Sequence, residues 1–182
     1  MKQKKAVILQ VLNGHRLMAL ATNRPDGWPQ VTTVGYVNDG FLLYCFVAHN
    51  SQKHTNIRRD PRVSIAIGSD NVRPLDIKGL SLAAQAHIVT DRGEIEYVSR
   101  LRLLRYPEYS ALSVLATDQA AARIAPRPTE GGVVLLRLVP ELITLIDYSQ
   151  GFGHSDLVTF SERDLEVHVA RQNHQWGTDA IR

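Results

Sequence analysis

A hydroxyl, an amide and a lysine stand together at Ser51, Gln52 and Lys53, directly after an apolar stretch and at the predicted start of a helix. The first N–H groups of a helix lack partners within it, and the helix dipole is positive at this end. The segment is therefore typical of an anion site, to which Lys53 adds a full positive charge. A capped helix with a solvated basic face is the alternative that these residues alone leave open.

A second candidate is the segment PQVTTV at residues 29–34, where polar side chains interrupt an otherwise apolar strand. Backbone groups and threonine hydroxyls in such a strand can bond the polar edge of a flat heterocycle while apolar neighbours cover its face. The high β-propensity of Thr and Val explains the same residues without any ligand.

The remaining reactive side chains give weaker signals. The seven histidines show neither the H-x-x-x-H nor the H-E-x-x-H spacing, so no metal site is expected. His49 and His54 flank the predicted anion site. The single cysteine, Cys45 in FLLYCFV, excludes a disulfide framework and is predicted to be a buried packing residue rather than a nucleophile.

Short strands and short helices would position these groups. Periodicity and capping predict a helix over residues 3–13, one from Asn50 or Ser51 to near Arg59, and one over 91–105. The predicted strands cover residues 15–22, 30–37, 41–47, 62–68, 76–90, 132–139 and 141–148, the last two separated at Pro140. Tight turns at 23–27 and 38–40 predict that the first three strands form an antiparallel meander. Evenly spaced strands with few helices favour a small antiparallel β-barrel with peripheral helices over a doubly wound parallel sheet.

Composition agrees with a globular protein. Of the 182 residues, 44% are apolar and 21% are charged, which excludes intrinsic disorder. The net charge of +3 is unevenly spread, since residues 1–64 hold nine Lys or Arg against three Asp or Glu. A small anion explains this local excess, and no nucleic-acid-binding motif accompanies it, so no nucleic-acid partner is expected. The chain has no apolar run long enough to cross a membrane, and a cytoplasmic location without a membrane partner is expected.

The order of these segments resembles the pyridoxamine 5′-phosphate oxidase-related, FMN-binding split-barrel family. The most specific element is K-x-x-N-[IL]-x-x-x-P-x-V, which here begins at Lys53 and passes through Asn56 and Pro61 to Val63. It follows PQVTTV and FLLYCFV in the family's order. The resemblance implies a mainly β fold, a six- to seven-stranded antiparallel split β-barrel over residues 1–156, followed by a tail at 157–182.

The resemblance also implies a homodimer that binds FMN between its two subunits, the second subunit closing the flavin pocket. The isoalloxazine ring would contact Gln30, Val31, Thr32 and Thr33, largely through their backbone groups. Phe46 and Val47 would approach the ribityl chain. The phosphate would be held by Ser51, Gln52 and Lys53.

The likeness does not extend to the substrate-binding residues of true pyridoxamine phosphate oxidases. Those enzymes carry basic residues in the strand that corresponds to residues 30–34 and an Arg/His motif near the C-terminus, neither of which this chain reproduces. Gln52 also replaces an arginine common beside the phosphate lysine. Vitamin B6 oxidation is therefore not expected, and the deazaflavin F420 is another candidate occupant.

Two functions follow from the resemblance. The first is an FMN-dependent oxidoreductase or flavin reductase of unknown substrate. The second is a non-catalytic flavin-, F420- or haem-binding, stress-associated protein, in which His154 of the segment GFGHSD is a candidate haem ligand.

Overall fold

The computed structural model describes residues 2–68, 73–108 and 132–160. Within these ranges the complete α-helices are α1 (Lys2–Gly14), α2 (Gln52–Arg59) and α3 (Arg92–Arg105). Its eight strands are β1 (Leu17–Asn23), β2 (Pro29–Gly35), β3 (Val37–Asp39), β4 (Leu42–Ala48), β5 (Arg62–Gly68), β6 (Lys78–Ile88), β7 (Val133–Asp147) and β8 (Ser155–Thr159). Within these ranges no helix is long and apolar enough to cross a membrane.

All strand pairs are antiparallel and belong to one sheet, in the order β2-β1-β5-β6-β7-β4-β3, with β8 also paired to β7. The sheet curls into a half-barrel, which confirms the predicted mainly β, antiparallel split-barrel class. Two short strands, β3 and β8, were not predicted. The sequence predicts short helix and loop over residues 106–131, which lie outside the described residues from 109 onward.

The prediction of two strands separated at Pro140 is wrong. Strand β7 runs without interruption from Val133 to Asp147 and contains Pro140. The register between β7 and β6 shifts by one residue next to this proline, since Ala83 pairs with Leu142 and Ala84 pairs with Pro140. This bulge leaves Glu141 as the extra residue, so the missing N–H of the proline does not end the strand.

The predicted three-stranded meander is also wrong. Strands β1 and β2 form the expected hairpin, with Leu17 beside Gly35 and Asn23 beside Pro29. The chain then turns at Tyr36 and continues directly into β3, which pairs with β4 at the other end of the strand order. The Tyr36 side chain is 1% exposed and its hydroxyl donates to the Leu12 carbonyl at 2.8 Å. A buried tyrosine anchored to α1 therefore fixes this corner.

The apolar core fills the inside of the curled sheet. Ile8 and Leu12 of α1 pack there against strand residues such as Leu20, Leu43 and Leu138. A second cluster lies on the outer face of the sheet, where α3 covers β3, β4 and the first half of β7 through buried residues that include Val98 and Leu135. The helix starts at an Asp91 cap whose carboxylate accepts the Glu94 N–H at 2.7 Å.

Candidate cofactor site

Helix α2 begins immediately after β4, as the sequence predicts. Ser51 caps the helix, because its hydroxyl oxygen accepts the His54 N–H at 3.3 Å and donates to the Ala48 carbonyl at 2.7 Å. These bonds fix the last residue of β4 against the first turn of α2. The first helical N–H groups and the positive end of the helix dipole thus lie where the strand ends, which is the arrangement expected of an anion site.

Lys53 brings its charge to this first turn. The side chain is half-buried, and burial lowers the pKa of its ammonium group, while the nearby Cys45 opposes that shift. Among the described residues no carboxylate lies within ion-pair distance of Lys53. A partly desolvated cation without a protein counter-ion fits an anionic ligand at this position.

Asn56 joins α2 to the hairpin of β1 and β2. It is 0% exposed, and its amide nitrogen donates to Thr22 Oγ1 at 3.0 Å and to Gln30 Oε1 at 3.1 Å. Its oxygen accepts the Gln52 amide at 2.8 Å. The network connects two predicted site residues, Gln30 and Gln52, through one buried side chain. Sequence analysis assigned Asn56 to the family motif without a role and missed Thr22, which only the fold brings to this place.

Strand β2 lies at one end of the strand order. Gln30 and Thr32 point to the inner face, whereas Val31 and Thr33 are exposed on the outer face, so the four predicted residues line both sides of an edge strand. Every second residue of such a strand directs its backbone N–H and C=O away from the neighbouring strand. Thr32 Oγ1 is buried and has no hydrogen-bond partner within the described ranges. These groups are available to the polar edge of a ligand.

Phe46 and Val47 point in opposite directions, as neighbours in a strand must. Val47 is 3% exposed and belongs to the inner core. Phe46 lies on the outer face, where the Arg102 guanidinium of α3 stands 4.4 Å from its ring centroid. Phe46 and Arg102, together with Ala48, Tyr36 and Tyr106, line a cavity of about 330 Å³ between α3, β4 and the turn after β2, whereas Val47 does not reach it. Sequence reasoning missed Arg102, which nothing in the helical period of α3 distinguishes, and Tyr106, which follows the end of that helix.

The residues present fit a phosphorylated, planar cofactor such as FMN. A phosphate would meet the first helical N–H groups, which Ser51 caps, and the half-buried charge of Lys53 at the start of α2. A flat ring would meet the open edge of β2. The unpartnered Thr32 hydroxyl supports this assignment, because a buried hydroxyl without a partner carries a free-energy cost that a ligand can remove.

The cysteine and the histidines are not assigned a role in holding the cofactor here. Burial raises the pKa of the Cys45 thiol to about 12, so it stays protonated as a core residue, as predicted. His54 is buried, with Nδ1 2.6 Å from the His49 carbonyl, and the two rings lie 4.9 Å apart. His154 lies beside Asp156 with Nε2 3.3 Å from the carboxylate.

Comparison with known proteins gives one family and many similar folds. A family model described as pyridoxamine 5′-phosphate oxidase matches residues 5–143. The conserved hypothetical protein Rv2991 of Mycobacterium tuberculosis is 27% identical, with a TM-score of 0.63 over 87% of this chain and 92% of that one. A heme binding protein of Mycobacterium smegmatis is 21% identical, with a TM-score of 0.63 over 88% of this chain and 57% of that one. An FAD-binding protein of Mesorhizobium loti is 18% identical, with a TM-score of 0.55 over 76% and 88%.

Proposed function

Because the chain belongs to the pyridoxamine 5′-phosphate oxidase family, we propose that it is an FMN-binding flavoprotein that works as a flavin-dependent oxidoreductase or flavin reductase. The single observation that carries the proposal is Lys53, a half-buried cation at a capped helix start with no described carboxylate beside it. A phosphate dianion supplies the missing counter-charge and accepts charge-assisted hydrogen bonds from that turn.

The protein's own groups would bind and orient the cofactor. Lys53 and the first helical N–H groups of the turn that Ser51 caps hold the phosphate end. Gln52 keeps Asn56 in place through the 2.8 Å bond between their amides. Backbone groups of Gln30 to Thr33 meet the ring and donate to it where negative charge develops on reduction. When bound, FMN supplies the hydride- and electron-transfer chemistry, and the protein supplies orientation and exclusion of water.

Homodimer formation and a cytoplasmic location are part of this proposal. Members of the family are commonly dimeric, and Val31 of β2 is 62% exposed in the single chain. A second subunit would cover the open side of the ring. The only cysteine is buried in the core, so the fold does not depend on an oxidising compartment.

A non-catalytic carrier of a flavin, F420 or haem is the second candidate function. It is supported by the similarity in fold to the heme binding protein of M. smegmatis and the FAD-binding protein of M. loti. It would use the same barrel to hold a cofactor without a substrate site. His154 of the loop before β8 is the candidate haem ligand.

The visible absorption spectrum tests the cofactor. The purified protein is recorded as isolated, and again after incubation with FMN and desalting. Flavin bands that survive desalting support the proposal, and oxidation of a reduced nicotinamide by the loaded protein then supports the enzyme over the carrier. A protein that retains no FMN contradicts the proposal, and parallel incubations with F420 and haem decide between the alternatives.

A further inference from the structure

Four polar side chains form a hydrogen-bonded relay between the start of α2 and strand β2. The Gln52 amide nitrogen donates to Asn56 Oδ1 at 2.8 Å. The Asn56 amide nitrogen donates to Thr22 Oγ1 at 3.0 Å and to Gln30 Oε1 at 3.1 Å. We refer to these four residues as the polar relay. Because a side-chain amide donates at one end and accepts at the other, the relay has a direction.

The burial of Asn56 fixes this direction. Its side chain is 0% exposed, so each of its two N–H bonds needs an acceptor inside the protein. In the observed direction both are used, one on Thr22 and one on Gln30. If the amide were turned over, its oxygen would face these two residues, and only Gln52 would be left as an acceptor. One buried N–H would then lose its partner, which is costly.

The direction of the relay determines which end of the Gln30 amide stays open. Its Oε1 accepts from Asn56, whereas Nε2 has no hydrogen-bond partner in the described part of the chain. Nε2 also remains accessible to solvent, in contrast to the unpartnered Thr32 Oγ1 two residues further along β2. Gln30 therefore presents N–H donors, rather than its oxygen, on the strand that ends the sheet.

Three elements hold the relay in place before any ligand binds. Thr22 and Gln30 are direct partners in the hairpin of β1 and β2, so their side chains lie side by side. Asn56 approaches them from α2, whose first turn is fixed by the Ser51 cap and by the Gln52 contact. A donor that is oriented in advance needs little further ordering when a ligand binds.

We propose that Asn56 is a positioning residue that holds the Gln30 side chain with Nε2, rather than Oε1, toward a ligand at the edge of β2. If the proposed function holds, this ligand is the ring of FMN, whose rim carries carbonyl and ring-nitrogen acceptors. A hydrogen bond to such an acceptor strengthens when negative charge develops there. Gln30 would therefore stabilise reduced FMN more than oxidised FMN, and Asn56 would act through Gln30. The orientation of the amide itself does not depend on FMN.

Side-chain hydrogen exchange in the protein without flavin tests this orientation. NMR follows the side-chain N–H signals of Asn56 and Gln30 separately. Both Asn56 protons should exchange about 100-fold more slowly than those of Gln30, because only they are buried and bonded. In Asn56→Asp the carboxylate only accepts, so Gln30 should turn its nitrogen inward and its N–H signals should become protected. Gln30 signals that are already protected in the wild type, or that do not respond to Asn56→Asp, overturn the proposal.

The reduction potential of the bound flavin tests the consequence. Together with the Kd of oxidised FMN it gives the ratio of the Kd values for reduced and oxidised FMN. Gln30→Leu removes the donor and should raise this ratio about tenfold. Asn56→Asp should raise it further, because it turns the Gln30 oxygen toward the ring. In the double variant Asn56→Asp should add little, because its effect requires Gln30.

Thr55→Asp is the matched control, because it adds the same charge to an exposed neighbour on α2 and should leave the ratio unchanged. Circular dichroism checks that each variant is folded, and the wild-type exchange rates and Gln30→Leu keep the test decisive if Asn56→Asp does not fold. Effects that add in the double variant, or unchanged ratios in both single variants, overturn the positioning role and leave FMN binding standing. A protein that retains no FMN contradicts the proposed function instead, while hydrogen exchange still decides the orientation of Gln30.

Discussion

The amide nitrogen of Asn56 lies 3.1 Å from Oε1 of Gln30 and joins the middle of α2 to the edge strand β2. The same nitrogen also donates to Thr22 on β1. One fully buried side chain therefore sets the distance between the helix start that would hold a phosphate and the strand that would meet a flat ring.

Lys53→Ala should weaken FMN binding by about 1.5–3 kcal/mol, which is roughly 10- to 150-fold in Kd, because a charge-assisted bond to the phosphate is lost. Quenching of flavin fluorescence during titration measures the Kd. Arg58→Ala is the control, since Arg58 is an exposed cation in the last turn of the same helix. Equal affinities in the wild type and Lys53→Ala would show that this residue does not bind the phosphate.

Asn56→Ala should lower the free energy of unfolding by about 1–3 kcal/mol, because the buried hydroxyl of Thr22 and the amides of Gln30 and Gln52 lose their partner. Urea denaturation followed by circular dichroism measures the change. Thr55→Ala alters the exposed neighbour and should change stability by at most about 0.5 kcal/mol. A variant as stable as the wild type would contradict the role assigned to this network.

Tyr106→Phe should cost about 1–2 kcal/mol of stability. The Tyr106 hydroxyl lies 2.7 Å from the Arg16 carbonyl and 2.6 Å from the Tyr36 carbonyl, and thus ties the end of α3 to the turn between β2 and β3. Thermal and urea unfolding give the difference. Tyr148→Phe serves as the control, because its hydroxyl has no hydrogen-bond partner in the described part of the chain. Similar losses in both variants would mean that the two bonds contribute nothing specific.

The stability of Asp39→Asn relative to the wild type should increase as the pH rises. Burial raises the pKa of Asp39, against the opposing effect of the 2.9 Å bond from the Tyr97 hydroxyl. A carboxyl group whose pKa is raised by folding costs stability once the unfolded chain ionises, so the wild type loses stability between the ordinary pKa near 4 and the raised value. Urea denaturation of both proteins at pH 3 and pH 7 provides the comparison. The prediction would be contradicted if the variant were no more stable relative to the wild type at pH 7 than at pH 3.

Local patterns in the sequence predict most of the strands and the starts of the helices. Ser51 and Asp91 cap α2 and α3 because short polar side chains before a helical period are local signals. The proline inside β7 misled the prediction, since its compatibility with the strand depends on a bulge opposite Ala84, a partner distant in sequence. The pairing of β2 and β4 was mispredicted for a similar reason, because the turn at Tyr36 is set by a bond to α1.

The candidate site likewise has one part that local sequence predicts and another part that depends on contacts between distant residues. The turn at Ser51 to Lys53, where an anion would bind, could be located from the sequence, because all its residues are consecutive. The contacts of Asn56 with Thr22 and Gln30, and of Arg102 with Phe46, join residues from separate elements and required the fold. The periodicity of one segment does not show which of its side chains contact those of another segment across the barrel.

The position of β7 has a consequence for the order in which the protein folds during its synthesis. Strand β7 lies between β4 and β6, with Leu43 beside Leu138 on one side and Leu82 beside Ile143 on the other. A ribosome therefore releases six strands before the one that joins both halves of the sheet. Until residue 147 has emerged, the nascent chain holds β4 and β6 with one unpaired edge each, and unpaired strand edges are where wrong pairing and aggregation start.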